Sequence, residues 1–284
     1  MVSLKKTLIR IMRSLREALF PTRCLVCGSF FHLIQAQNGC FPKKGLHYES
    51  LLTYRNNINF SMLMATFLCP SCSRGFLSIE SPICNKCGIM FKSREGEDHI
   101  CGECIVSPRR FRIARASGVY DQTFMEVIHC LKYKGRVQLA GPLGMLLFSA
   151  LIRYWDMSSI DIIMPVPLHI KRLRKRGFNQ SFLLIKDWED IARSLNVEIP
   201  YIQEADYFFI RSVWTEPQTG LGRKKRMANI KNAFSIEDSS KVFDKRILLV
   251  DDVYTTGATV DECAKVLLRG GAKQVDVLTL ARAM

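Results

Sequence analysis

The chain has 284 residues, of which 48% are hydrophobic, and carries a formal net charge of +15. That apolar share excludes a disordered chain and is enough for one large core or two ordinary ones. The positive balance favours anionic partners, whether nucleic acid, phosphorylated metabolites or an anionic membrane surface, and does not separate the three.

In chain order, Leu4, Leu8, Ile11, Met12, Leu15 and Leu19 recur at helical spacing with Lys5, Lys6, Arg10, Arg13 and Arg16 between them. The spacing predicts a basic amphipathic helix over residues 1–20, docked either on the protein's own surface or on a membrane or partner. The start lacks an unbroken apolar stretch and a small-residue cleavage site, so no export signal is expected. Eleven cysteines follow, nine of them before residue 105. Eight form Cys-x-x-Cys pairs: Cys24/Cys27, Cys69/Cys72, Cys84/Cys87 and Cys101/Cys104. Without export a disulfide framework is disfavoured, and each pair can present two thiolates to one ion. Sequential pairing predicts one tetrahedral set from Cys24, Cys27, Cys69 and Cys72. A second would come from Cys84, Cys87, Cys101 and Cys104, at ribbon-like spacing. All-thiolate sets suit zinc in a structural role, because four protein ligands leave no position for substrate. Redox dithiols, or a single degenerate site, are the alternatives. The module is expected over residues 21–108, with 29–67 as an insertion.

From residue 109 the pattern changes to alternating strands and helices, which predicts an α/β fold: an open, mostly parallel sheet with flanking helices. "FRIARASGVY", "IDIIMPVP", "ADYFFIRSV", "RILLVDDV" and "QVDVLTLARA" read as strands. "QTFMEVIHCLKY", "VQLAGPLGMLLFSALIRYW", "NQSFLLIKDWEDIARSL", "GRKKRMANIKNAF" and "TVDECAKVLLRGGA" read as helices. The apolar run at 139–152 is shorter than the ~20 residues a spanning helix needs, so it reads as a core helix and no transmembrane segment is expected.

The most telling stretch is "RILLVDDVYTTGAT". A strand over 247–250 would end at Asp251 and Asp252, at the sheet edge where open α/β folds bind ligands. The turn Tyr254, Thr255, Thr256, Gly257, Ala258 and Thr259 would then sit at a helix N-terminus. Its N–H groups and hydroxyls can hold a phosphate without any basic side chain. The acids suit the diol of a ribose one step away. Alternatively, the acids only solubilise a strand end and a threonine merely caps a helix.

The stretch resembles the phosphoribosyl-pyrophosphate signature of type I phosphoribosyltransferases. With "IHCLKYKGR", "PVPLHIKRLRKRGFNQS" and "TEPQTGLGRKKRMANIKNAF", the chain is similar to the ComF family, which joins an N-terminal zinc ribbon to a phosphoribosyltransferase-type domain. The resemblance covers nearly all of the chain except 29–67 and part of the N-terminal helix. It implies a phosphoribosyltransferase-like domain over residues 109–284 that binds phosphoribosyl pyrophosphate with Mg²⁺ at Asp251, Asp252 and residues 254–259. Lys132 and Arg172 would join that site, and Arg176, Arg223 and Arg226 would act on the pyrophosphate, the last two from a mobile loop. It also implies a cytoplasmic role in natural transformation, with single-stranded DNA and the DNA-uptake machinery as partners. Three functions stay open: an active transferase, a single-stranded DNA-binding uptake factor, and a zinc-ribbon interaction platform.

Overall fold

The computed structural model describes residues 21–32, 59–203, 208–214 and 230–284. The amphipathic helix expected over 1–20, most of the insertion, and Arg223 and Arg226 lie outside the described residues. The cysteine-bearing part contains the short strands β1 (Thr22–Arg23) and β2 (Phe30–Phe31) and the helices α1 (Phe60–Leu63), α2 (Pro70–Arg74) and α3 (Gly102–Val106). The rest follows as β3 (Ala114–Val119), α4 (Gln122–Tyr133), α5 (Ala140–Tyr154), β4 (Ile162–Pro165), α6 (Ile170–Arg176), α7 (Gln180–Ile185), α8 (Trp188–Ser194), β5 (Tyr201–Ile202), β6 (Phe209–Arg211), β7 (Phe234–Ile236), β8 (Arg246–Tyr254), α9 (Ala258–Arg269) and β9 (Gln274–Arg282).

Among the described residues five strands form one all-parallel sheet in the order β3-β9-β8-β4-β5. The two central strands are near-continuous apolar runs because both their faces are covered. Leu248, Val250, Leu278 and Leu280 pack towards α4, α5, α7 and α8. Ile247, Leu249, Val275 and Val277 pack towards α9 and the β6–β7 ribbon. The cysteine segments are built into these cores. Cys24, Cys69, Phe60 and Met64 belong to the first, and Cys84, Cys87, Cys104 and Phe111 to the second.

Four expectations need correction. The strand through the acidic pair does not stop at residue 250. Its ladder with β9 continues to Tyr254↔Arg282, so Asp251 and Asp252 lie inside the strand. "NQSFLLIKDWEDIARSL" is two helices, broken at Lys186–Asp187. The break lets Leu184, Ile185 and Trp188 all reach the core, with the Trp188 indole donating to the Gly144 carbonyl at 3.0 Å. "ADYFFIRSV" does not join the main sheet: β6 pairs antiparallel with β7 in a separate ribbon. In "GRKKRMANIKNAF" the final Phe234 opens β7, and residues 222–229 lie outside the described residues.

The apolar segment is also longer than expected. A 3₁₀ turn leads into α5, and Val137–Tyr154 is an 18-residue stretch apolar enough by length and composition to cross a membrane. Leu139, Leu143, Leu147 and Leu151 are nevertheless fully buried against the protein itself. Gly144 approaches the Leu184 carbonyl so closely that a Cβ there would stand 2.4 Å from its oxygen. This is the packing of a core helix.

Candidate functional site

The site lies at the carboxyl end of β8. Asp251 and Asp252 are both buried, and the chain leaves the strand at Tyr254 and enters α9 at Ala258. Gly257 makes the turn with φ +75°, and a Cβ there would stand 2.2 Å from the Tyr254 hydroxyl, so glycine is required on two counts. Thr255, Thr256 and Thr259 are half-buried around it, and the Thr256 hydroxyl accepts from the Ala258 N–H at 3.4 Å. An α-helix leaves its first N–H groups outside its own hydrogen-bond ladder, and α9 begins at this turn. Tyr254 itself lies beneath the loop, with its ring edge-on to Phe111.

The two carboxylates have different surroundings. Asp251 accepts from the Ser181 hydroxyl and from the Asp252 N–H, both at 2.9 Å. Asp252 pairs with Lys132, at the end of α4, at 2.8 Å. Burial, and then the neighbouring Asp252, push the Asp251 carboxyl up to about 7. Burial works against the Lys132 charge, but Asp252 outweighs it and holds that ammonium above its usual pKa.

A basic group gathers around α6 and the end of β6, and Arg211 within it feels the Asp251 charge. His169 caps α6, its Nδ1 accepting from the Lys171 N–H at 3.1 Å, and stands edge-on to Trp214. Lys171 and Arg172 lie over the Trp214 ring at 5.8 and 5.5 Å. Arg211 is buried, and burial followed by the nearby Arg172 lowers its pKa to about 10. Burial, then Arg211, Lys171 and Arg172, also hold His169 below its usual value. Basic groups gathered this closely form a site suited to an anion. Arg176 goes elsewhere: it bonds Gln180 and lies over the Tyr133 ring at 5.3 Å, on the α4 side.

The structure therefore brings Lys132, Asp251, Asp252 and the residue 254–259 turn together, and sets Arg172 among the basic residues. Ser181 and His169 are not singled out by the sequence, and the departure from the family pattern at Val213 and Trp214 argued against a paired role for Arg211, which the structure places near Arg172. Ser181 had a signal, since it ends the basic block that follows β4. His169 had none, because only the tertiary fold brings it beside Arg211 and Trp214.

Both cysteine sets assemble as the sequential pairing predicts. In each, four sulfurs lie within 4.8 Å of one another and can hold a metal ion. The Cys27–Cys69 and Cys87–Cys101 sulfurs are 3.7 and 3.8 Å apart. A tetrahedron with ~2.3 Å metal–sulfur arms has edges of about 3.8 Å, so the donor sets fit zinc in size and chemistry. The Cys84 sulfur accepts from the N–H groups of Cys87 and Cys101 at 3.4 and 3.3 Å. These knuckle bonds aim it at the centre of the set.

Residues 188–284 match the model of the phosphoribosyl transferase domain. The chain is 33% identical to the DNA utilization protein YhgH of Escherichia coli K12 over 76% of its own length and 91% of that protein. It is 31% identical to competence protein F of Haemophilus influenzae over 76% of this chain and 90% of that one. The chain belongs to the ComF family. Competence protein ComFC of Streptococcus pneumoniae is a more distant member, 25% identical over 92% of this chain and 100% of its own. A solved structure of the allosteric regulatory enzyme of purine biosynthesis matches at 19% identity, covering 48% of this chain and 24% of that one with a TM-score of 0.27. In this ComF-family chain the two four-cysteine sets fit the family's double zinc ribbon, and the parallel sheet carries its phosphoribosyltransferase-type domain.

The raised Asp251 carboxyl makes stability depend on pH. Its folded pKa of about 7 lies above the ordinary aspartate value of about 3.9 in the unfolded chain. Between those values the folded state keeps a proton that the unfolded state has lost, so stability falls as pH rises through that window. Asn at this position has no charge to lose. Ligand-free Asp251→Asn is expected to be the more stable protein at pH 8, by on the order of 2–4 kcal/mol, with the gap shrinking towards pH 4. Urea unfolding at pH 4.5 and 8 measures this, and a pH-independent gap would refute it.

Proposed function

We propose that this chain binds phosphoribosyl pyrophosphate with Mg²⁺ and works in the handling of incoming DNA. The observation that carries the reading is the buried Asp251–Asp252 pair on the central strand, followed at once by the Gly257 turn into α9. The turn, with Thr255, Thr256 and Thr259, takes the 5-phosphate through N–H and hydroxyl donors. Asp251 and Asp252 accept from the ribose hydroxyls. The pyrophosphate lies towards Arg172, with Arg211 and His169 beside it. The family resemblance assigns Arg223 and Arg226 to the same pyrophosphate, and Arg176 would have to leave Gln180 and the Tyr133 ring to join them. The acidic pair suits a divalent cation, since burial and the neighbouring Asp252 both oppose the Asp251 charge and added positive charge would offset them. Bound Mg²⁺ would neutralise charge on the departing pyrophosphate. Zinc in the two cysteine sets would be structural.

The relatives' names, competence protein and DNA utilization protein, support a role in the uptake and use of DNA, and the family resemblance implies that the role is cytoplasmic, at the inner face of the membrane. Exposed aromatic rings that carry cations, Tyr133 under Arg176 and Trp214 under Lys171 and Arg172, favour single-stranded DNA as the macromolecule handled.

Calorimetric titration with phosphoribosyl pyrophosphate and Mg²⁺ tests the reading. The wild type is expected to bind, and the Asp251→Asn, Asp252→Asn double variant to lose at least about 100-fold in affinity, the equivalent of two charge-assisted contacts. No binding by the wild type would refute it. Pyrophosphate release against a panel of bases and single-stranded DNA then separates a transferase from a binding protein.

A further inference from the structure

Arg282, the last residue of β9, is the register partner of Tyr254 and is only 4% exposed. Its guanidinium lies over the Tyr254 ring, 4.1 Å from the centroid. The planar fork reaches in two directions. One side donates to the Cys87 carbonyl at 3.3 Å and to the Cys87 sulfur at 3.7 Å. The other donates to the Thr255 carbonyl at 2.8 Å, with Tyr254 and Ala283 carbonyls at 3.5 and 2.6 Å. One side chain thus joins a metal-ligand knuckle to the backbone of the candidate phosphate turn. A second tie runs parallel to it. The Arg110 N–H and guanidinium bond both oxygens of Asp261, in the first turn of α9, at 2.7 and 3.1 Å.

A buried arginine that served the core alone would need no contact with a ligand sulfur. Groups that hydrogen-bond metal ligands orient them, and losing one typically costs about 10–100-fold in metal affinity or activity. Here the same group holds the Thr255 carbonyl, and with it the turn whose N–H groups must converge on an anion. Lysine cannot replace it, because one ammonium cannot span a carbonyl on each side of the fork.

We propose that Arg282 is a positioning residue that couples the Cys84, Cys87, Cys101 and Cys104 set to the phosphate turn, so that metal loading and phosphate binding reinforce each other. The proposal rests on the reading of residues 254–259 as the 5-phosphate site. Coupling is reciprocal: whatever factor the metal adds to phosphate affinity, the phosphate adds to metal affinity.

The test uses the full chain loaded with Co²⁺ and titrated with phosphoribosyl pyrophosphate and Mg²⁺, with Arg282→Lys and Arg282→Gln alongside. In the wild type the thiolate-to-cobalt absorption bands are expected to shift on titration. Bound ligand should also strengthen metal retention against a chelator by about tenfold. Both variants should keep their metal in the absence of chelator, bind the ligand about tenfold more weakly, and lose the spectral response. Bands in the ligand-bound wild type that do not move would overturn the proposal, and that measurement needs no variant to fold. So would variants that bind and respond like the wild type. If the wild type binds no ligand at all, the phosphate-site reading fails and the coupling falls with it. Binding with silent bands overturns the coupling alone.

Discussion

Replacing Lys132 with methionine is expected to destabilise the fold by about 3–5 kcal/mol, the usual cost of leaving one partner of a buried ion pair alone. Lys132 and Asp252 meet at 2.8 Å, their side chains only 15% and 5% exposed. Without the ammonium, two adjacent buried carboxylates face each other with no cation of comparable proximity among the described contacts. In a chain of this size the loss amounts to a fall in melting temperature of about 6–20 °C. Its sign with pH is fixed. The penalty is the cost of carboxylate charge, so it should be largest at pH 8 and smaller at pH 5, where Asp251 takes up a proton. Lys132→Met combined with Asp252→Asn should recover most of the stability, since neither charge is then left alone. Calorimetric melting of the three proteins at both pH values checks all of this. A single variant that melts with the wild type would show that the pair contributes nothing.

Cys84→Ser is expected to have the other large effect. Cys84 is fully buried, accepts two backbone N–H groups, and shares a core with Phe111, Tyr254 and the first turn of α9. Structural zinc in small domains is worth on the order of 10–16 kcal/mol at neutral pH, much of it realised as folding free energy. The variant should therefore hold one zinc per chain instead of two and melt at least about 10 °C lower. Cys27→Ser should be milder, because that sulfur is exposed and the first set closes over a long intervening segment. Metal analysis with melting curves decides it. A zinc content and a melt in Cys84→Ser unchanged from the wild type would show that Cys84 does not hold a structural metal.

Much of this was legible in the residues because it depends on local periods and spacings. Cys-x-x-Cys turns, a strand of four apolar residues before two acids, and a threonine-glycine turn before an amphipathic helix each lie within a few positions. Their chemistry follows from the residue types. The break between α7 and α8 was illegible because each half looks helical, and only the need to pack both Leu184 and Trp188 on one core bends the chain. The end of β8 was misplaced for a similar reason. A strand's length is set by how far its neighbour runs, and β9 runs to Arg282.

By itself the sequence determined the α/β alternation, the ligand sets of the two cysteine clusters, and the acidic pair beside a helix N-terminus. Only the tertiary structure decided which charges neutralise which. Lys132 belongs to Asp252, Ser181 to Asp251, and Arg172 stands with Arg211 and His169 rather than with Arg176. Arg282 and Cys87, 195 positions apart, meet because a parallel sheet brings the last strand beside β8 and the second cysteine set packs on the same face. Local pattern selects residue types. Long-range pairing selects partners, and a buried charge is stabilised only by the partner that the fold places within reach.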